Sequence, residues 1–295
     1  MPTSSRSTAV SLSSLLLAVA GAVGMATIGV ISRITGLSAE SITFYRLGLG
    51  AFFLLLYLLL TRRGRYLRYA PGWGVALSGG FLAAFILFYV QAMNYTQMAN
   101  AILMVYLAPV VSAVIAHFLL GERLSSTQIA CIATALFGFA MMQEFRLQLR
   151  GGDDAIGLGF GLLAMLAYSA FILTNRGLPP RLNDRTGAFW QLFFGALAIL
   201  PFALLSPDGL SAAPWQWPWL LGAGLVPGFL ALLFAVLAIN RLPTALYGTL
   251  AYCEPLAVVV FGWSLFGEAL TPLQLAGGGL VLAGGILQAH LGRRR

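Results

Sequence analysis

The chain repeats itself. Tyr106-Leu107-Ala108-Pro109, Gly121-Glu122 and Gln128 return as Tyr252-Cys253-Glu254-Pro255, Gly267-Glu268 and Gln274, each landmark 146 residues on (255 − 109 = 146). Asn94 and Asn240 keep that spacing, as do Leu124 and Leu270, and Gly138 and Gly284. A gapless offset across Pro, Gly-Glu, Gln and Asn together is not expected by chance, and self-similarity of this length outranks any local motif in reading a fold. Residues 1–150 and 151–295 are therefore read as two copies of one unit, joined by the polar stretch 150–155.

The medium comes next. Of 295 residues 59% are hydrophobic and 9% charged, against about 25% charged in a soluble domain. Mean hydropathy is +0.88. Such a chain is an integral membrane protein, and in lipid each backbone polar group needs an internal partner, so the expected class is all-α. Runs of about 20 apolar residues can each cross the hydrocarbon. Ten are found: 11–32, 41–61, 73–93, 98–119, 126–144, 156–175, 186–205, 215–239, 243–266 and 271–291. Arg6 ahead of the first run, with Ala18-Val19-Ala20 inside it, imitates a cleavable signal. The run continues past Ala20 and has 156–175 as its counterpart, so it reads as a retained first span.

Charge sets orientation. All 17 basic residues are arginine, and the net charge is +8. In a soluble chain this balance would suggest nucleic acid. Here the arginines sit between apolar runs, which points to membrane orientation and anionic lipid headgroups instead. Arg6, Arg62, Arg63, Arg65, Arg68, Arg123, Arg176, Arg181, Arg185, Arg241, Arg293, Arg294 and Arg295 fall on one side; Arg33, Arg146 and Arg150 fall on the other. By the positive-inside rule both termini are cytoplasmic. Tyr66, Tyr69 and Trp73 on one face, and Trp215, Trp217 and Trp219 on the other, suit the two interfacial belts. Five spans per copy is an odd number, so the second copy enters from the opposite side. That inverted repeat is the arrangement of alternating-access carriers, and two fused copies suffice for a working monomer. Gly and Ala crowd spans five and ten, where small residues let helices approach closely.

Chemistry-bearing residues are few. With no lysine there is no Schiff base and no phosphate-binding GK[ST] loop. Cys131 and Cys253 form no disulfide framework, and no HExxH or GxSxG occurs. No catalytic residue, metal site or cofactor is expected. Glu254 is the one acid deep inside a span, and such a group is a functional candidate by default: it would bind a substrate ammonium, take up a proton, or tie helices together. Arg46, about 7–8 Å inside span two at 1.5 Å per residue, is read as a tether to a loop or as a carboxylate site. Tyr89, Gln91, Tyr106, Tyr168, Tyr247 and Tyr252 are candidate walls of a pocket that stacks apolar groups and bonds a polar head. Pro109 and Pro255 interrupt spans four and nine, either as gating kinks that free the carbonyls of Val105 and Ala251 or as static packing kinks. Glu122 and Glu268 read as carboxylates at the N-terminal dipoles of the helices that follow them. His117 is read as a hydrogen-bonded side chain or a proton relay, and His290 as interfacial.

The paired Pro…Gly-Glu…Gln units, with Arg46 in span two, Ala92…Tyr95-Thr96 between spans three and four, and Glu254-Pro255 in span nine, resemble the EamA-type, ten-helix branch of the drug/metabolite transporter superfamily. The chain departs from it at Val23-Gly24, where Trp-Gly is frequent, at the equivalent Tyr168-Ser169, and near Ala39, where a proline is common. The resemblance implies a metabolite exporter of the bacterial inner membrane with a central cavity lined by spans one, three, four, six, eight and nine. Within the branch the chain looks most like exporters of aromatic amino acids. The expected substrate is a small metabolite, amino acids first. Cationic drugs and sugar or nucleotide derivatives are alternatives within the superfamily, and an intramembrane enzyme or receptor-like sensor is the alternative outside it.

Overall fold

The computed structural model describes residues 11–64, 67, 72–96, 98–122, 124–145, 152–178, 183–207 and 209–293. Within them the first copy supplies α1 (Leu12–Thr35), α2 (Ala39–Leu60), α3 (Trp73–Tyr95), α4 (Met98–Val105), α5 (Ala108–Leu119) and α6 (Ser126–Met142). The second supplies α7 (Gly152–Gly177), α8 (Asp184–Leu205), α9 (Trp217–Ala223), α10 (Ala231–Arg241), α11 (Thr244–Ala251), α12 (Cys253–Phe266) and α13 (Pro272–Arg293). A π-helical stretch, Gly224–Leu230, joins α9 to α10. Among the described residues nine helical stretches are long and apolar enough to span a membrane, and α6 is a shorter tenth. The protein is an all-α, multi-pass membrane protein: two inverted five-pass repeats around a central cavity. The start of α1 and the end of α13 lie at one face, called here the terminal face; the opposite is the far face. Arg6, Arg65, Tyr66, Arg68, Tyr69, Arg123, Arg146, Arg150, Arg181, Arg294 and Arg295, used above to orient the chain, lie outside the described residues.

The duplication is visible element by element. Helices α3 and α10 end at Tyr95 and Arg241, α4 and α11 begin at Met98 and Thr244, and α6 and α13 begin at Ser126 and Pro272, all 146 residues apart (241 − 95 = 146). The repeated glutamines have a local reason. The Gln128 side chain accepts from Ser125 N at 2.9 Å while Gln128 N donates to Ser125 Oγ at 3.3 Å. Gln274 and Thr271 repeat this at 3.1 and 3.2 Å. Both are capping boxes, which satisfy N–H groups that a helix start leaves unpaired. The repeated glycines are equally local: Gly121 and Gly267 end the preceding helices at φ 69° and 67°, a left-handed conformation that glycine adopts without a Cβ clash.

Pro109 and Pro255 do not sit in the middle of kinked helices. Each falls in the first turn of a new helix, α5 or α12, after a break at Tyr106-Leu107 or at Tyr252. A first-turn proline lacks only an N–H that the helix would not have used. Each pass is thus two helices end to end, and the joint is hydrogen-bonded: the Tyr252 hydroxyl donates to Tyr106 O at 2.7 Å, and Ser169 Oγ donates to Ala108 O at 3.1 Å.

Two close crossings fix the frame. A Cβ on Gly138 would lie 2.6 Å from Gly277 O, and one on Gly277 would lie 2.4 Å from Gly138 O, so α6 and α13 meet backbone to backbone. Helix α2 crosses the π-helical stretch as closely, with Gly228 against Arg46 O and Gly50. Pro227 sits inside that stretch, where its missing N–H accounts for the change of helical period. Trp73 begins α3 at the terminal face, Trp215 and Trp217 stand near the start of α9 at the far face, and all three are exposed.

Candidate functional site

A cavity of about 320 Å³ lies between the repeats. Its floor, at mid-depth, is set by Ala18, Leu82 and Tyr247; its mouth, toward the far face, by Ile28, Gly29, Ser32, Ala39, Met93 and Val258. Helices α1, α3, α4, α7, α10, α11 and α12 contribute to it, matching spans one, three, four, six, eight and nine. Span two is an addition, through Ala39, Ile42, Thr43 and Arg46 of α2.

Of the residues singled out from sequence, Arg46, Tyr89, Tyr106, Tyr168, Tyr247 and Glu254 line this cavity. Val105 and Ala251, the residues one turn before the two prolines, line it too. Gln91 and Tyr252 do not: Gln91 Oε1 faces the Asn94 amide at 3.5 Å, and Tyr252 is fully buried in a cluster with Phe139 and Val281. His117 lies at the terminal-face end of α5, where its Nδ1 accepts from Leu124 N at 3.3 Å and holds the α5–α6 turn. The loop tether read for Arg46 is made by its neighbour, since the Tyr45 hydroxyl donates to Leu210 O at 2.6 Å. Tyr45 and Arg46 point to different sides of α2, which leaves Arg46 facing the cavity. Its Nε is buried and has no hydrogen-bond partner.

Glu254, in the first turn of α12, lines the same cavity as Arg46. Tyr106, Tyr168 and Tyr247 line the cavity with them. The wall beside them is aromatic. Phe85 stacks on Tyr168 with centroids 4.8 Å apart, and Tyr89 and Phe171 extend the stack at 6.3 Å on either side. Phe85, Phe171 and Met93 were missed in the sequence, although Phe85, Tyr89 and Met93, four residues apart, share one face of α3. A guanidinium with an unmet donor, a carboxylate and a stacked aromatic wall in one cavity can hold a molecule that carries both charges and an apolar body. Among the described residues no three His, Cys, Asp or Glu side chains gather as a metal site would require.

The profile of the EamA-like transporter family matches the chain twice, over residues 12–143 and 155–288. The chain belongs to the EamA-like transporter family. It is a multi-pass transporter of the drug/metabolite superfamily, related to proteins that export small metabolites. An uncharacterised transporter of Archaeoglobus fulgidus is 29% identical over 266 residues, 90% of this chain and 92% of that one. A probable terminal-alkyne amino-acid exporter of Streptantibioticus cattleyicolor is 29% identical over 66% of each chain. The threonine/homoserine exporter RhtA of Escherichia coli is 30% identical over 44% of each chain. A crystal structure 21% identical in sequence superposes with a TM-score of 0.84 over 96% of this chain and 99% of that one, which establishes a shared fold.

Proposed function

We propose that this transporter exports amino acids, bulky apolar and aromatic ones foremost, across the bacterial inner membrane by alternating access, with both termini in the cytoplasm. The observation that carries this reading is the pairing of Arg46 and Glu254 in one cavity beside the Phe85–Tyr89–Tyr168–Phe171 stack. A zwitterion matches that pair: carboxylate to Arg46, which has an unmet donor, and ammonium to Glu254. The stack supplies an apolar, π-rich surface for the side chain. Two of the relatives named above are amino-acid exporters by name, which favours the same class. Arg46 is the only cation among the described lining residues, so a nucleotide sugar would bring more negative charge than the cavity can neutralise. A cationic drug would leave Arg46 opposed to a like charge.

The orientation rests on the arginine count of the loops, and a monomer suffices because both repeats lie in one chain. The test is flux from proteoliposomes loaded with a panel of amino acids, amines and sugar phosphates, with and without a pH gradient. Selective efflux of phenylalanine, tryptophan or leucine is the expected result. Protein-dependent flux of amines or sugar phosphates in place of amino acids would overturn it.

A further inference from the structure

Two arginine–glutamate pairs tie the repeats together, one at each face, and each takes its arginine from the opposite repeat. Arg176, in the last turn of α7, bonds Glu122, which follows α5. Arg33, in the last turn of α1, bonds Glu268, which follows α12. The two glutamates sit in the same local fold: Glu122 N donates to Ala116 O and Glu268 N to Gly262 O, in each case six residues back (122 − 116 = 6). A carboxylate there lies at the negative end of its own helix, so it needs a donor from elsewhere.

The glutamates are repeat-equivalent (268 − 122 = 146) and the arginines close the corresponding helices α1 and α7, 143 residues apart (176 − 33 = 143), but the pairs differ in what covers them. At the terminal face the turn between α10 and α11 is docked on the pair. Arg176 donates to Ile239 O at 2.9 Å, and Thr244 N, the first N–H of α11, donates to Glu122 at 2.7 Å. The two side chains are 22% and 21% exposed. At the far face the counterpart of that turn is the one between α3 and α4, with Met93 and Met98 in the places of Ile239 and Thr244 (239 − 146 = 93; 244 − 146 = 98). It is not docked. Among the described residues Glu268 bonds only Arg33 through its side chain, and Arg33 adds only the Phe266 ring, 4.2 Å away. These side chains are 55% and 52% exposed. Met93 instead lines the mouth of the cavity, opposite Ser32.

We propose that each pair is the socket of a latch. The α10–α11 turn is latched on Arg176–Glu122 while the cavity opens to the far face, and the α3–α4 turn latches on Arg33–Glu268 when it opens to the terminal face. In an inverted-repeat carrier each state follows from the other by exchanging the conformations of the two repeats. The second state therefore has Arg33 donating to Met93 O and Met98 N donating to Glu268, with the inner turn released. This rests on alternating access but not on the substrate, so it is read without any ligand.

The experiment uses full-length protein with both native cysteines replaced, a Ser32→Cys reporter at the cavity mouth, and a membrane-impermeant maleimide applied from the far face. Glu122→Gln unlatches the terminal face, and the labelling rate at position 32 is expected to fall by about an order of magnitude, the factor a charge-assisted bond commands. Thr244→Pro, which removes the N–H together with the threonine hydroxyl and places proline where a helix start accepts it, is expected to lower labelling in the same direction and serves if Glu122→Gln folds poorly. Glu268→Gln alone leaves labelling high, and added to Glu122→Gln it returns labelling toward the native rate, because both latches are then weak. Unchanged labelling in Glu122→Gln and Thr244→Pro, or a loss that Glu268→Gln does not reverse, overturns the proposal. A failure of amino-acid flux with these labelling results intact would count against the substrate reading only.

Discussion

Arg46 and Glu254 carry the charge of the cavity, and under the proposed function each meets a different end of a zwitterion. Glu254→Gln keeps the shape, Arg46→Gln shortens the side chain, and each removes one charge-assisted hydrogen bond of about 1.5–3 kcal/mol, or roughly 10- to 150-fold in affinity. Flux at subsaturating substrate is expected to fall by that factor in Glu254→Gln and in Arg46→Gln, measured as initial rates from liposomes. If Glu254 is also the proton carrier, Glu254→Gln loses its response to a pH gradient as well; wild-type flux with an unchanged pH response would remove Glu254 from both roles. Tyr252 makes a different prediction. It is fully buried, and its hydroxyl satisfies the Tyr106 carbonyl at the α4–α5 break. Tyr252→Phe leaves a buried acceptor unpaired, at about 1–3 kcal/mol, and is expected to lower the unfolding midpoint in detergent. Sequence made both residues candidates but could not tell them apart. One faces the cavity and the other a helix junction, and a break of two residues before Pro109 sets that difference.

Glycine spacing in the sequence predicts close helix crossings, and the structure shows which glycines make them. Gly228 is one: a Cβ there would stand 2.3 Å from Arg46 O, in the backbone of the helix that aims Arg46 at the cavity. Overpacking of that kind costs about 1–3 kcal/mol or forces the helices apart. Gly228→Ala is expected to lower thermal stability in detergent and to reduce flux, whereas Gly222→Ala on the same pass, with nothing within 4 Å of the added carbon, leaves both near wild type. The boundaries of elements were legible wherever their cause is local, as in the Ser125–Gln128 and Thr271–Gln274 caps. The partners of Glu122 and Glu268 were not. The sequence suggested the dipole of the next helix, α6 or α13. The structure takes Glu122 to the N-terminus of α11 and to Arg176, and Glu268 to Arg33. Those partners lie in the other repeat, at separations for which neither periodicity nor local propensity carries a signal.

The duplication also predicts how the whole molecule sits in the membrane. Thr61, just after α2, and Pro207, shortly after α8, are repeat-equivalent (207 − 61 = 146), exposed and placed at opposite faces. An odd number of passes per repeat requires this, whichever substrate is carried, and a chain with parallel repeats would place both on one side. In a background lacking Cys131 and Cys253, Thr61→Cys is expected to react with an impermeant maleimide only in inverted vesicles and Pro207→Cys only in intact spheroplasts. The first result assigns the terminal face to the cytoplasm, as the arginine count requires. Both sites reacting from the same side would remove the inversion, and with it the exchange of repeat conformations on which alternating access depends. Both reacting from the sides opposite to those expected would keep the inversion and reverse the orientation, turning the far-face opening of the cavity toward the cytoplasm.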